Sequence, residues 1–149
     1  MKIEEAIQQK KFKTEYHKLI VNILYSASWL GQYNTRLLKP YGISQEQYNL
    51  LRILRGVHPQ PATVKMLTER MIDKMSNASR LVEKLRQKGL VERGECPVDR
   101  RRVDVCITAK GLALLENASK AMEGDLEGFL CLSDQEAASL NDLLDKMRG

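Results

Sequence analysis

A chain of 149 residues with 24 Lys/Arg against 19 Asp/Glu and a net charge of +5 fits one compact domain, or one domain whose helical extensions a second copy must cover. No apolar run approaches the roughly 20 residues that span a bilayer, and Met1 to Lys13 lacks the apolar centre of a signal peptide, so a soluble, cytoplasmic protein is expected. The three cysteines, Cys96, Cys106 and Cys131, are an odd number without CxxC spacing, which argues against a disulfide framework or zinc site and for reduced thiols.

Met1 to Lys13 is polar and reads as a frayed arm or helical lead-in. From about Thr14 to Lys39, Leu19, Ile20, Ile23, Leu24, Ala27, Leu30, Leu37 and Leu38 keep a rhythm of three to four residues. That spacing predicts a long amphipathic helix, ended by Pro40 and Gly42. Ser44 with Gln47 forms a capping box that opens a helix to about Arg55, with Tyr48, Leu51 and Leu54 as its buried stripe. The loop GVHPQPA follows.

Thr63 is a suitable N-cap for a short helix to Met71, because its hydroxyl can accept a first-turn N–H. A second helix is predicted from about Met75 to Lys88, stopping at Gly89, a residue suited to the left-handed C′ position. Ala78, Leu81, Val82 and Leu85 fall on one stripe of it, while Ser76, Asn77, Ser79, Arg80, Glu83 and Lys84 occupy the other face. Asp73 is an alternative cap for this helix, which leaves its start open by a residue or two. Two helices across a tight turn, with small polar and basic side chains early in the second, make the helix-turn-helix pattern. Leu90 to Arg93 and Arg102 to Ile107 then have strand composition, joined by GECPVDRR with Gly94 and Pro97 as loop punctuation. A polar tip holding Asp99, Arg100 and Arg101 reads as a wing.

Thr108 caps a further helix through roughly Leu130, with Leu112, Leu115, Ala118 and Met122 as its stripe and a bend expected where Gly124 and Gly128 weaken its far end. Ser133 with Glu136 makes another capping box, opening a last helix through Met147 with Ala137, Leu140, Leu143, Leu144 and Met147 on one face. Terminal amphipathic helices with no third layer to bury their stripes need a partner surface, so a homodimer is expected; folding back as a monomer is the alternative. The fold class is mainly α with a small β-hairpin wing. It divides into an N-terminal arm and dimerisation helix (1–42), a winged helix-turn-helix DNA-binding module (43–107) and C-terminal dimerisation helices (108–149).

The segments SNASRLVEKLRQKGLVER and PVDRRRVDVCITAKG closely resemble the MarR family of bacterial transcription regulators. The landmarks are Ser79-Arg80-Leu81-Val82, the Lys88-Gly89-Leu90-Val91 exit, the Asp99-Arg100-Arg101 wing and the Thr108-Ala109-Lys110-Gly111 helix start. The resemblance extends more loosely from about Lys13 onward. It implies that the terminal helices of two subunits interlock, and that Asp99 and Arg101 place an arginine for the minor groove. It also implies a small aromatic or anionic effector held between the dimer helices and the winged module.

Charge follows the same division. Residues 1–62 carry nine Lys/Arg and four Asp/Glu, residues 63–107 eleven and seven, and residues 108–149 four and eight. The basic excess lies with the reading module and the segment before it, which favours nucleic acid over a membrane surface as partner. Asn suits adenine, Arg suits guanine, and Ser serves a base or a phosphate, so Ser76, Asn77, Ser79 and Arg80 are the expected major-groove contacts. Lys84 is expected to reach a phosphate, as are Thr63 and Lys65, because free N–H groups at a helix start attract anions. A carboxylate at Asp99 can aim the Arg101 guanidinium into a narrow A·T-rich minor groove, with Arg100 and Arg102 on backbone or solvent.

Tyr25, Trp29, Tyr33 and Tyr48, with His17, are candidates to line an effector crevice, although aromatics on helices also serve as ordinary core. Cys96 lies beside the basic wing, where a lowered thiol pKa and an inert bystander are both open. No phosphate loop, carboxylate pair or His/Cys/Asp constellation points to catalysis, and no cofactor is expected. The reading is a homodimeric, sequence-specific DNA-binding repressor on a pseudo-palindromic operator, released by an effector. A winged-helix protein-interaction module is the alternative, separable by the steep salt dependence of phosphate contacts.

Overall fold

Side-chain caps set most of the helix starts in the computed structural model, which describes residues 1–95 and 98–149. The lead-in contains one short helix, α1 (Ile3–Ala6), with Ile3 buried. It is moored to the next helix by an ion pair of 2.6 Å between Glu4 and Lys18, and the hydrogen bond from Lys18 holds the Glu4 carboxyl below the usual glutamate range. Thr14 accepts the His17 N–H and opens α2 (Glu15–Leu38). A 3-10 turn over Lys39–Tyr41 ends it at Gly42, whose φ of 67° is left-handed. The Ser44/Gln47 capping box forms and starts α3 (Gln45–Val57).

Thr63 caps α4 (Val64–Arg70), as its hydroxyl position predicts. Residues Ala62–Thr63 also form a strand, β1, which the sequence reading missed because two residues carry no periodicity. After α5 (Ala78–Gln87) come β2 (Val91–Glu95) and β3 (Val103–Ile107). The sheet is antiparallel in the order β1-β3-β2, with Val91 opposite Ile107, Glu95 opposite Val103 and Ala62 opposite Val105.

The expected single helix from Thr108 to Leu130 is two: α6 (Ala109–Met122) and α7 (Leu126–Leu130), broken around Gly124. Asp125 caps α7 through the Gly128 N–H at 2.9 Å, which turns the expected bend into a new helix start. Ser133 and Glu136 then open α8 (Asp134–Arg148) through a complete capping box.

The core is built around α3. Leu50, Leu51, Ile53 and Leu54 are all buried, so this helix is covered on more than the stripe of Tyr48, Leu51 and Leu54. Leu67 of α4, Val82 and Leu85 of α5, Val105 of β3 and Leu115 and Ala118 of α6 close over it. Among the described residues no helix is long and apolar enough to cross a membrane. α2 packs against α6 and α3, yet Ile20 and Leu24 stay exposed, as do Leu140, Leu143 and Met147 of α8.

One junction fastens the end of α5 to the start of α6. Gly89 ends α5 with φ 73°, the Thr108 hydroxyl donates to its carbonyl at 2.8 Å, and Lys110 Nζ donates to the Lys88 carbonyl at 3.0 Å. Gly111 sits so close that a Cβ would lie 2.2 Å from the Leu90 carbonyl oxygen. Two of the four resemblance landmarks, the KGLV exit and the TAKG start, are therefore the two sides of one contact.

Candidate nucleic-acid interface

α5 is anchored through Ala78, Val82 and Leu85 and turns Ser79, Arg80 and Lys84 to solvent. Arg80 and Lys84 stand one helical turn apart, so both can follow a single groove wall. Glu83 does not belong to that solvated face. It accepts Arg86 at 2.7 Å and lies 3.6 Å from Arg93 of β2, fastening α5 to the wing, and the Arg86 hydrogen bond holds its carboxyl below the usual range.

The helix starts later than expected. Ser76 and Asn77 precede it rather than ride on it, because Asn77 is the N-cap: its Oδ1 accepts the Arg80 N–H at 3.1 Å. The cap engages one of the two lone pairs of that oxygen, which competes with bidentate adenine reading, and leaves the NH2 donors available. The Ser76 hydroxyl oxygen is buried, with no hydrogen-bond partner among the described residues. Asp73 does not cap α5. Its carboxylate takes the Met75 N–H at 2.9 Å, while Asn49 of α3 accepts the Ile72 N–H at 2.9 Å and ties the turn to the core.

At the wing, the Asp99 carboxylate accepts the Arg101 backbone N–H at 3.0 Å. It fixes the turn rather than gripping the guanidinium, so Arg101 is aimed through its main chain. Arg102, expected on backbone or solvent, pairs with Asp104 at 3.2 Å, whereas Arg100 and Arg101 are exposed at the tip. Thr63 is half-buried and spends its hydroxyl on the Met66 N–H at 3.1 Å, leaving Lys65 as the exposed cation at the start of α4. Cys96 lies outside the described residues.

The four aromatic candidates separate. Tyr48 is only 6% exposed and donates its hydroxyl to Ser119 at 3.2 Å, where Arg55 also donates at 3.2 Å. It is a core residue and leaves the crevice set. Trp29 and Tyr33 come together around a residue the sequence did not single out, Phe129 of α7. Its ring stacks on Trp29 (centroids 4.8 Å, planes 6° apart) and on Tyr33 (3.6 Å, 14°). Tyr25 is half-buried on α2, and His17 meets Phe12 edge-on at 5.7 Å. Among the described residues no group of His, Cys, Asp and Glu is placed to hold a metal ion.

The sequence pattern of the MarR family matches residues 41–102, the stretch that runs from the end of α2 into the wing. Over that stretch the chain carries the MarR-family pattern. No curated protein matches this sequence. Among solved structures, wild-type MarR of E. coli in its apo form is 26% identical, with a TM-score of 0.66 over 85% of this chain and 93% of that one. A MarR-like transcription regulator of Bacillus cereus ATCC 10987 is 23% identical with a TM-score of 0.79, covering 90% of this chain and 96% of its own. An organohalide-sensing transcriptional regulator in its 2,4-dichlorophenol-bound form is 20% identical with a TM-score of 0.82, covering 94% and 85%. The last two share the MarR winged fold with this chain over most of its length.

Proposed function

We propose that this MarR-family chain is a homodimeric repressor that binds double-stranded DNA through α5 and the wing. The observation that carries it is the exposure of Ser79, Arg80 and Lys84 on a helix whose opposite side is fixed in the core. In this reading residues 43–107 are the DNA-binding module, flanked by dimerisation segments 1–42 and 108–149. Arg80 reads a guanine edge with Ser79 beside it, and Lys84 and Lys65 hold phosphates. Thr63 supports α4 rather than the DNA. Ser76 and Asn77 set the start of α5, with the Asn77 NH2 still able to donate. Arg101 enters the minor groove from the turn that Asp99 holds, and Arg100 takes the backbone.

The bare apolar faces of α2 and α8 support a second copy as their cover, and two-fold symmetry then asks for a pseudo-palindromic operator. Nothing in this assignment asks for catalysis or for a place other than the cytoplasm. A small aromatic effector fits the stack of Phe129 on Trp29 and Tyr33, in line with the dichlorophenol described for one structural relative. Such a ligand replaces Phe129, frees α7 and shifts the spacing of the two reading helices, favouring the form that binds DNA less well. Tyr25, on α2 ahead of Trp29 and Tyr33, is the remaining candidate for its wall.

The test is binding to DNA upstream of the gene at two salt concentrations, against scrambled DNA of equal length. Specific binding that weakens steeply with salt and takes two protomers per site is expected. Salt-insensitive association with a protein in place of DNA would overturn the reading. A phenol that quenches Trp29, the one tryptophan of the chain, and lowers DNA affinity is expected for the effector step.

A further inference from the structure

The basic and polar residues of the reading elements leave exposed apolar side chains beside them unused, Ile72 and Met75 in the turn before α5 and Val98 in the wing. Met75, in the turn just before α5, is 91% exposed, more than any apolar side chain of the core helices it adjoins. Its backbone is held on both sides: the Asp73 carboxylate accepts the Met75 N–H at 2.9 Å and the Asp73 carbonyl accepts the Ser76 N–H at 3.2 Å. Two residues later Asn77 caps α5. The turn is thus fixed, and its thioether side chain stands at the N-terminal end of the helix, the end that a reading helix carries into the major groove.

The surroundings favour a polyanion as its cover. Lys74 precedes it, and Arg80 and Lys84 follow on the exposed side of α5. An apolar docking partner would have to desolvate those charges. DNA takes them as phosphate and base contacts, and in the major groove it offers one apolar mark, the thymine C5-methyl group. Met is long, unbranched and polarizable, which suits a contact whose register is set by other residues.

We propose that Met75 reads a thymine methyl at one position of each half-site, so that the turn as well as the helix determines sequence choice. This rests on the DNA-binding reading above. The experiment starts from duplexes that the full-length protein enriches from a random-sequence pool, in which each thymine is replaced singly by deoxyuridine, removing only the methyl. The wild-type protein is expected to lose about fourfold in affinity, the worth of one buried methyl-sized group, at one symmetry-related pair of positions. Met75→Ala binds the thymine and uracil duplexes equally. Met75→Leu keeps the difference, and Arg80→Ala binds more weakly overall but keeps it too. Because Met75 is exposed, an unchanged thermal midpoint for Met75→Ala accompanies these results. Indifference of the wild type to every uracil, or discrimination that survives in Met75→Ala, overturns the proposal and leaves DNA binding standing. Failure to enrich any sequence overturns both.

Discussion

Ser119 is the residue on which the packing of α3 against α6 turns. It is 6% exposed beside the buried Ala118, and its oxygen accepts from both the Tyr48 hydroxyl and the Arg55 guanidinium. Ser119→Ala strands two donors, and a stability loss of about 1–3 kcal/mol is expected in denaturant unfolding. Tyr48→Phe in that background should recover part of the loss, since it removes one stranded donor; an additive double variant would show that the two groups do not interact. The thiols give a second residue-scale test. Burial, then the charges of Asp104 and Glu92, push the Cys106 thiol up, so at neutral pH it holds less thiolate than an ordinary cysteine. Cys131 is exposed. Iodoacetamide should therefore alkylate Cys131 ahead of Cys106, which gains rate only at a pH above the usual thiol range. Equal rates at pH 7 would sink this assignment.

At the scale of elements, what the sequence disclosed depended on how local each signal was. The caps at Ser44, Thr63, Thr108 and Ser133 were readable because a hydroxyl and a nearby N–H need only three residues to meet. The start of α5 was not, because Asp73, Ser76 and Asn77 are all competent caps, and the anchoring of Ile72 on Asn49 from another helix helps select among them. β1 and Phe129 were invisible for a related reason: each is defined by a partner distant in the chain, Val105 for Ala62 and Trp29 for the ring. The junction of α5 with α6 is the most sharply defined element contact. Alanine in an open helix gains up to about 1 kcal/mol over glycine, but Gly111→Ala pushes a methyl onto the Leu90 carbonyl. A loss of about 1–3 kcal/mol is expected, with DNA affinity falling as α5 shifts. In the wing, Arg101→Ala should cost about tenfold or more in DNA affinity with the thermal midpoint unchanged. Asp99→Ala should reproduce part of that loss by loosening the turn. If Asp99→Ala is silent while Arg101→Ala is not, the turn aims itself without the carboxylate.

For the whole molecule, the decisive question is what covers α2 and α8. Ile20 and Leu24 are 57% and 65% exposed, and Leu140, Leu143 and Met147 are 46%, 64% and 51%. Those residues recur at helical spacing, so each helix keeps an apolar stripe in water, an arrangement stable monomers avoid. Residues 108–149 carry four Lys/Arg against eight Asp/Glu, so in the proposed reading this end stays off the phosphates. The proposed dimer through the terminal helices would cover both stripes and hold two α5 helices at one spacing. Leu143→Glu places a charge in the centre of the stripe on a residue already in water, so the monomer's own core is untouched. Sedimentation equilibrium should find the wild type a dimer at micromolar concentration and Leu143→Glu a monomer with an unchanged helical spectrum. On a palindromic duplex the variant should bind each half-site separately and weakly, because the gain from linking two sites vanishes. A wild type that sediments as a monomer would mean that α8 folds elsewhere in solution, and DNA reading would then have to proceed one module at a time.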